Sequence, residues 1–179
     1  MFAVSLLMFC RISIALLFIV SAGSKTLAIR DFEVTVGNFK LLPRRWNKPA
    51  TWLFLGGEIA TVVLIAIGGS LLLIGFLLAI ALLAVFAIAL VSALLRDIDI
   101  SCNCFGKTER HISPYDVVRN ILFILCSLSG MWMLIYTPQN LDVGEITLLT
   151  FMSAVFVVLV ANLSDVIETL LLPFSVDAR

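Results

Sequence analysis

Cys102 and Cys104 stand one residue apart in Asp99-Ile100-Ser101-Cys102-Asn103-Cys104-Phe105-Gly106. Two thiols at that spacing in a short loop can exchange disulfides, because each can attack a mixed disulfide on its neighbour. They can instead hold a soft metal, since paired thiolates select zinc or copper(I). An inert role is the weakest of the three, because a loop exposes both sulfurs and exposed thiols react. A direct bond between them closes a strained ring and should be readily reduced, which suits electron transfer better than bracing. Nearby charges pull in opposite directions: Lys107 and Arg110 favour a thiolate, while Asp97, Asp99 and Glu109 oppose it. For a metal, Cys102, Cys104 and His111 supply three ligands where a closed zinc site needs four. No metal site is therefore assigned, and His111 is taken as a solvated loop residue. The other two cysteines, Cys10 and Cys126, fall inside apolar stretches, where a lone thiol is usually a small apolar filler.

Three ionisable residues, Lys25, Glu58 and Arg119, lie within or at the edge of apolar segments. A lone charge in hydrocarbon costs roughly 2.5–3.5 kcal/mol on insertion scales, so each should face other helices and find a partner. Glu58 with Lys25 or Arg119 is the expected pairing. Such a cluster either staples a bundle or takes part in proton or quinone chemistry.

The elements that must position these groups follow from composition. Of 179 residues, 61% are apolar and 13% charged. Soluble domains run at roughly 45–50% and about 25%. A domain of this size would have to expose much of the excess to water, so the chain is read as an integral membrane protein. That excludes a soluble enzyme and a DNA-binding domain. Twelve basic and twelve acidic residues balance, which implies no nucleic-acid partner. The chain is too short for a bundle plus a second folded domain, so residues 1–179 form one transmembrane domain.

A crossing needs ~20 apolar residues to cover ~30 Å of hydrocarbon. Between Pro49 and Leu95 the only charged residue is Glu58, and Gly68-Gly69-Ser70 is the natural break. Spans are expected near Thr51–Ile67, Leu72–Leu95 and Tyr115–Tyr136, the last with Ser113 as N-cap and Pro114 at the first helical position. A further span over Ile146–Ser164 carries Thr147, Thr150, Ser153 and Asn162. The first span either starts near Phe2 with Arg11 snorkelling, or starts at Arg11 and carries Lys25 into the membrane. Between the first two spans, Phe32, Val36 and Phe39 recur at helical spacing ahead of Arg44-Arg45-Trp46, which describes a short interfacial helix over Asp31–Leu42. The expected fold is all-α: a polytopic membrane bundle of four to five transmembrane helices with a short interfacial helix after the first. Continuous apolar runs argue against a β-barrel.

With five spans, every basic residue except Arg11 falls on one face, which the positive-inside rule puts in the cytoplasm. Disulfide formation belongs on the other side. The face carrying Cys102 and Cys104 stays open.

These residues resemble the MauE/DoxX-like family of redox-associated membrane proteins. The resemblance rests on Gly23-Ser24-Lys25 closing the first span and on Asp31-Phe32 and Asn38-Phe39-Lys40-Leu41-Leu42-Pro43 before the second. Glu58, the Cys102-Asn103-Cys104-Phe105-Gly106 loop, Ser113-Pro114 and Arg119-Asn120 complete it. It covers most of the chain up to about residue 136. It implies a small helical bundle, loosely similar to vitamin K epoxide reductase-like proteins, in the plasma or inner membrane. It further implies Cys102 and Cys104 as a redox pair, with Lys25, Glu58 and Arg119 as supporting polar positions. A thioredoxin-like protein or a disulfide-bearing client would be the partner, as in maturation of the disulfide-rich small subunit of methylamine dehydrogenase. A quinone is a candidate electron sink, although no quinone motif is readable. The alternative from another class is a non-catalytic membrane scaffold whose loop holds a metal or a partner. Transport is weaker, because no matched pair of broken helices is present.

Overall fold

The computed structural model describes residues 2–39, 43–96, 114–134 and 143–163. Among them every regular element is a helix: α1 (Phe2–Leu27), α2 (Ile29–Asn38), α3 (Asn47–Ile67), α4 (Leu71–Leu95), α5 (Pro114–Leu134) and α6 (Val143–Ala161), with a 3₁₀ turn at Arg44–Trp46 leading into α3. The helices α1, α3, α4 and α5 are long and apolar enough to cross a membrane, whereas α6 carries a shorter apolar run, Thr147–Ala161. Packing joins α1 to α3, α5 and α6, and α4 to α3 and α5. The result is a four-helix bundle with α6 laid against α1.

The core is filled by Leu7, Ile14, Leu17, Phe18, Ile65, Leu72, Phe76, Leu83 and Phe123, all nearly free of exposed surface. The outside is as apolar as the inside. On α4, Leu73, Ile74, Leu77, Val85 and Ile88 are exposed, and on α6 Phe151, Met152, Val158 and Leu159 are. A monomer in water does not present such a surface; hydrocarbon tails cover it at no cost. The three tryptophans are exposed near helix ends, Trp46 and Trp52 at one end of the bundle and Trp132 at the other, as an aromatic belt requires. The chain is a multi-pass membrane protein.

Arg11 settles the form of the first span. Helix α1 is continuous over 26 residues, about 39 Å at 1.5 Å per residue, so Arg11 and Lys25 both lie within it. Arg11 does not simply snorkel to water. Its Nε donates to the carbonyl of Ile65 and its Nη2 to that of Ala66, each at 3.0 Å. These are among the last carbonyls of α3, which have no partner within their own helix, and a cation there also meets the negative end of the helix dipole. Gly68 then turns the chain with φ of 75°, and a Cβ at that position would stand 2.7 Å from Arg11 Nη2. The expected Gly68-Gly69-Ser70 break is therefore both a left-handed turn and the seat of the Arg11 cap.

Helix α2 has ten residues and is too short to cross. Its Phe32 and Thr35, and Phe39 just after it, are buried against α3 and α4, while Arg30, Asp31 and Val34 face outward. It ends at Asn38, short of the expected Leu42, and residues 40–42 lie outside the described ones.

Candidate functional site

Lys25 comes from the last turn of α1 and Glu58 from the middle of α3, and the two form a buried ion pair with 3% and 2% of their side-chain surface exposed. Ser21 lies one turn before Lys25 on the same face of α1. Its Oγ donates to Glu58 Oε1 at 2.9 Å and accepts from Lys25 Nζ at 3.0 Å. Glu58 Oε1 thus receives both Ser21 and Lys25.

An ammonium has three N–H donors. Ser21 and Glu58 take two; aromatic faces surround the rest. Lys25 Nζ lies 4.9 Å from the Phe32 ring centre, 5.0 Å from Phe54 and 5.6 Å from Phe86. Within about 6 Å a ring face attracts a cation, and the gain is largest where water is excluded. Four helices build this cage: α1 gives the cation, α3 the carboxylate and Phe54, α2 Phe32 and α4 Phe86. The Phe54 ring packs on both of its neighbours at 6.2 Å. Beyond the rings lies an apolar cavity of about 120 Å³ bounded by Phe32, Val36, Phe39, Phe54 and Phe86, with room for a small apolar group.

The other carboxylate oxygen, Glu58 Oε2, is buried and has no hydrogen-bond partner among the described residues. Glu58 also borders a cavity of about 30 Å³ shared with Ser21, Lys25, Phe54, Arg119 and Asn120. A space of roughly this size holds one or two waters. Glu58 Oε2 keeps an open lone pair toward a space that a water can occupy. The hydroxyls of Thr51 and Thr61, buried on the same face of α3, bond back to the carbonyls of Asn47 and Gly57, so they do not extend the cluster.

Of the two partners expected for Glu58, the fold selects Lys25. Arg119 lines the same small cavity but bonds elsewhere, to Asp116 Oδ1 at 3.4 Å and to the carbonyl of Ala161 at 3.3 Å. Arg119 thereby ties the start of α5 to the end of α6. The expected redox pair, Cys102 and Cys104, lies outside the described residues, as does His111. The helix ends that flank them do not. The chain leaves α4 nine residues after Phe86 and begins α5 five residues before Arg119, so both ends belong to the Lys25 side of the bundle. Among the described residues no three of His, Cys, Asp and Glu converge to hold a metal.

The filler role expected for Cys10 and Cys126 separately misses that they meet. Both are free thiols. They lie on neighbouring helices that meet at this depth: Cys10 Sγ is 3.3 Å from Ser129 Oγ, three residues after Cys126 on α5. The aromatic cage was missed as well. Phe54 stands one turn before Glu58, and Ser21 one turn before Lys25, so i, i+4 spacing could have disclosed both. Phe86 carries no such signal.

A family model described as Methylamine utilisation protein MauE matches residues 3–133, which takes in α1 to α5 and stops before α6. The Methylamine utilization protein MauE of Paracoccus denitrificans is 31% identical over 156 residues, spanning 86% of this chain and 83% of that protein. No solved structure matches.

Proposed function

Since this chain belongs to the MauE family, we propose that it serves methylamine utilisation as a membrane thiol–disulfide factor that matures a disulfide-bearing client protein. The observation that carries this reading is the buried Lys25–Glu58 pair at the end of the bundle where the chain leaves α4 and enters α5, the segment that contains Cys102 and Cys104. A charged pair sealed in aromatic rings is a costly feature for a simple staple, since apolar residues of the same volume often hold a core as well or better. The plasma or inner membrane is its proposed location.

The chemistry balances without further groups. A client thiolate attacks the Cys102–Cys104 disulfide and forms a mixed disulfide. The second client thiol attacks that bond and releases the client with one new S–S bond. Two electrons and two protons pass to Cys102 and Cys104, which become a dithiol. A thioredoxin-like partner carrying a disulfide reoxidises them by the same exchange in reverse. Glu58 keeps one carboxylate oxygen open to the small cavity and the other on Lys25. Lys25 and Arg119 act as positioning residues beside it.

The test is the double variant Cys102→Ser/Cys104→Ser in a host growing on methylamine. The expected result is a client that keeps free thiols, read by alkylation and mass shift. In addition, Cys104→Ser alone should trap a client or a thioredoxin-like protein as a mixed disulfide. Unchanged client disulfides with nothing trapped would return the scaffold reading.

A further inference from the structure

Helices α1 and α5 approach closely at the depth of Cys10. Gly130 has no room for a side chain: a Cβ there would come within 2.8 Å of Phe76 Cζ and 3.0 Å of Cys10 Cβ. Cys126, Ser129 and Gly130 are spaced i, i+3 and i+4, so they share the face of α5 that meets Cys10. The Ser129 hydroxyl donates to the carbonyl of Cys126 at 2.9 Å. Its one proton is thus committed, and the thiol of Cys10 donates to Ser129 Oγ at 3.3 Å. Cys126 lies one turn before Ser129 and Gly130, the two residues that stand against Cys10, so it shares the same helix crossing. One hydroxyl links Cys10 to the turn of α5 that carries Cys126, with both cysteines on the contact line between the two helices.

The place of this pair in the membrane limits what can react with it. Cys10 is fifteen residues before Lys25, about 22 Å along α1, and Cys126 is eight residues before the end of α5, about 12 Å. Both lie within the hydrocarbon depth of their helices and far from the Lys25 end. Cys10 is fully buried and Cys126 only partly so. With Cys10 fully buried between the helices, a folded thiol carrier cannot reach its sulfur. A reactant for these sulfurs must dissolve in lipid and take electrons and protons two at a time, which is the chemistry of quinones.

We propose that Cys10 and Cys126 are a second redox couple, separate from Cys102 and Cys104, which closes to a disulfide bridging α1 and α5 and passes its electrons to a lipid-soluble quinone. Two S–H bonds break and one S–S bond forms. Two electrons and two protons convert the two quinone carbonyls to hydroxyls. Ser129 is a positioning residue, holding the Cys10 thiol against its partner. Helix α6 also packs on α1, where Ser153 Oγ donates to the carbonyl of Phe9 at 3.2 Å.

The experiment uses the full chain carrying Cys102→Ser/Cys104→Ser, which leaves Cys10 and Cys126 as its only cysteines. Its outcome is therefore independent of the proposed role of the loop pair. The protein, reconstituted in phospholipid vesicles and reduced, is mixed with decylubiquinone. The expected result is one quinone reduced per chain, loss of alkylation at both sulfurs, and one cross-linked peptide joining the segments of Cys10 and Cys126. Adding Cys126→Ala should abolish quinone reduction while leaving thermal unfolding in place. Two results would overturn the proposal. In one, both thiols stay fully alkylatable after quinone, whether or not copper-phenanthroline can bridge them. In the other, quinone is still reduced by the Cys126→Ala chain.

Discussion

The bundle holds two polar clusters in its apolar interior, and they are built on different scales. Around Lys25 and Glu58, four helices contribute a hydroxyl, three aromatic faces and a small cavity. Around Cys10 and Cys126, two helices and one serine suffice. The difference follows from charge. An ion pair taken out of water loses several kcal/mol of hydration per ion, and only a nearly complete shell of compensating contacts makes it tolerable. Thiols are weak hydrogen-bonders that pack as small apolar groups, so a single close neighbour satisfies them. Charge therefore has to be engineered into a bundle from many sides, whereas a thiol pair needs only two helices in the right register.

That contrast sets the order of expected effects. Glu58→Leu leaves Lys25 buried without its counter-ion and should destabilise the protein by about 3–5 kcal/mol. The double variant Glu58→Leu/Lys25→Met should recover most of that loss. Thermal unfolding in detergent reads both; equal losses for single and double variants would mean that the pair is not coupled. At the other cluster, Gly130→Val forces a side chain between Phe76 and Cys10 and should cost about 1–3 kcal/mol. It should also move the two sulfurs apart, seen as slower bridging by copper-phenanthroline. Phe86→Leu opens one wall of the cage and should cost about 1 kcal/mol through lost cation–π attraction and packing. The smallest effect is expected for Cys10→Ala, which removes a weak polar contact and leaves a small gap, at no more than about 1 kcal/mol in the same unfolding assay. A loss as large as that of Glu58→Leu would erase the distinction between charged and neutral clusters.

Much of the architecture was legible along the chain. The breaks at Gly68-Gly69-Ser70 and before Pro114, the helical spacing of Phe32, Val36 and Phe39, and the need of Glu58 for a partner all follow from neighbouring residues. The limits of the spans came within a few residues: α3 begins at Asn47 rather than Thr51, and α6 at Val143 rather than Ile146. What was missed or left open shares one feature. The cap that Arg11 gives α3, the choice of Lys25 over Arg119, the ring of Phe86 and the meeting of Cys10 with Cys126 join residues tens of positions apart.

Membrane insertion is a sum of transfer free energies over ~20 consecutive residues, so the sequence alone determined that this chain crosses the bilayer and roughly where. It also determined that any buried charge must be paired. Which partner each polar group finds depends on how the helices rotate about their axes and which ones touch, and small residues at close crossings decide that, as Gly130 does for α1 and α5. Only the folded bundle turned a lysine, a glutamate and two distant cysteines into two defined sites, because their contacts are set by helix packing rather than by the residues on either side of them.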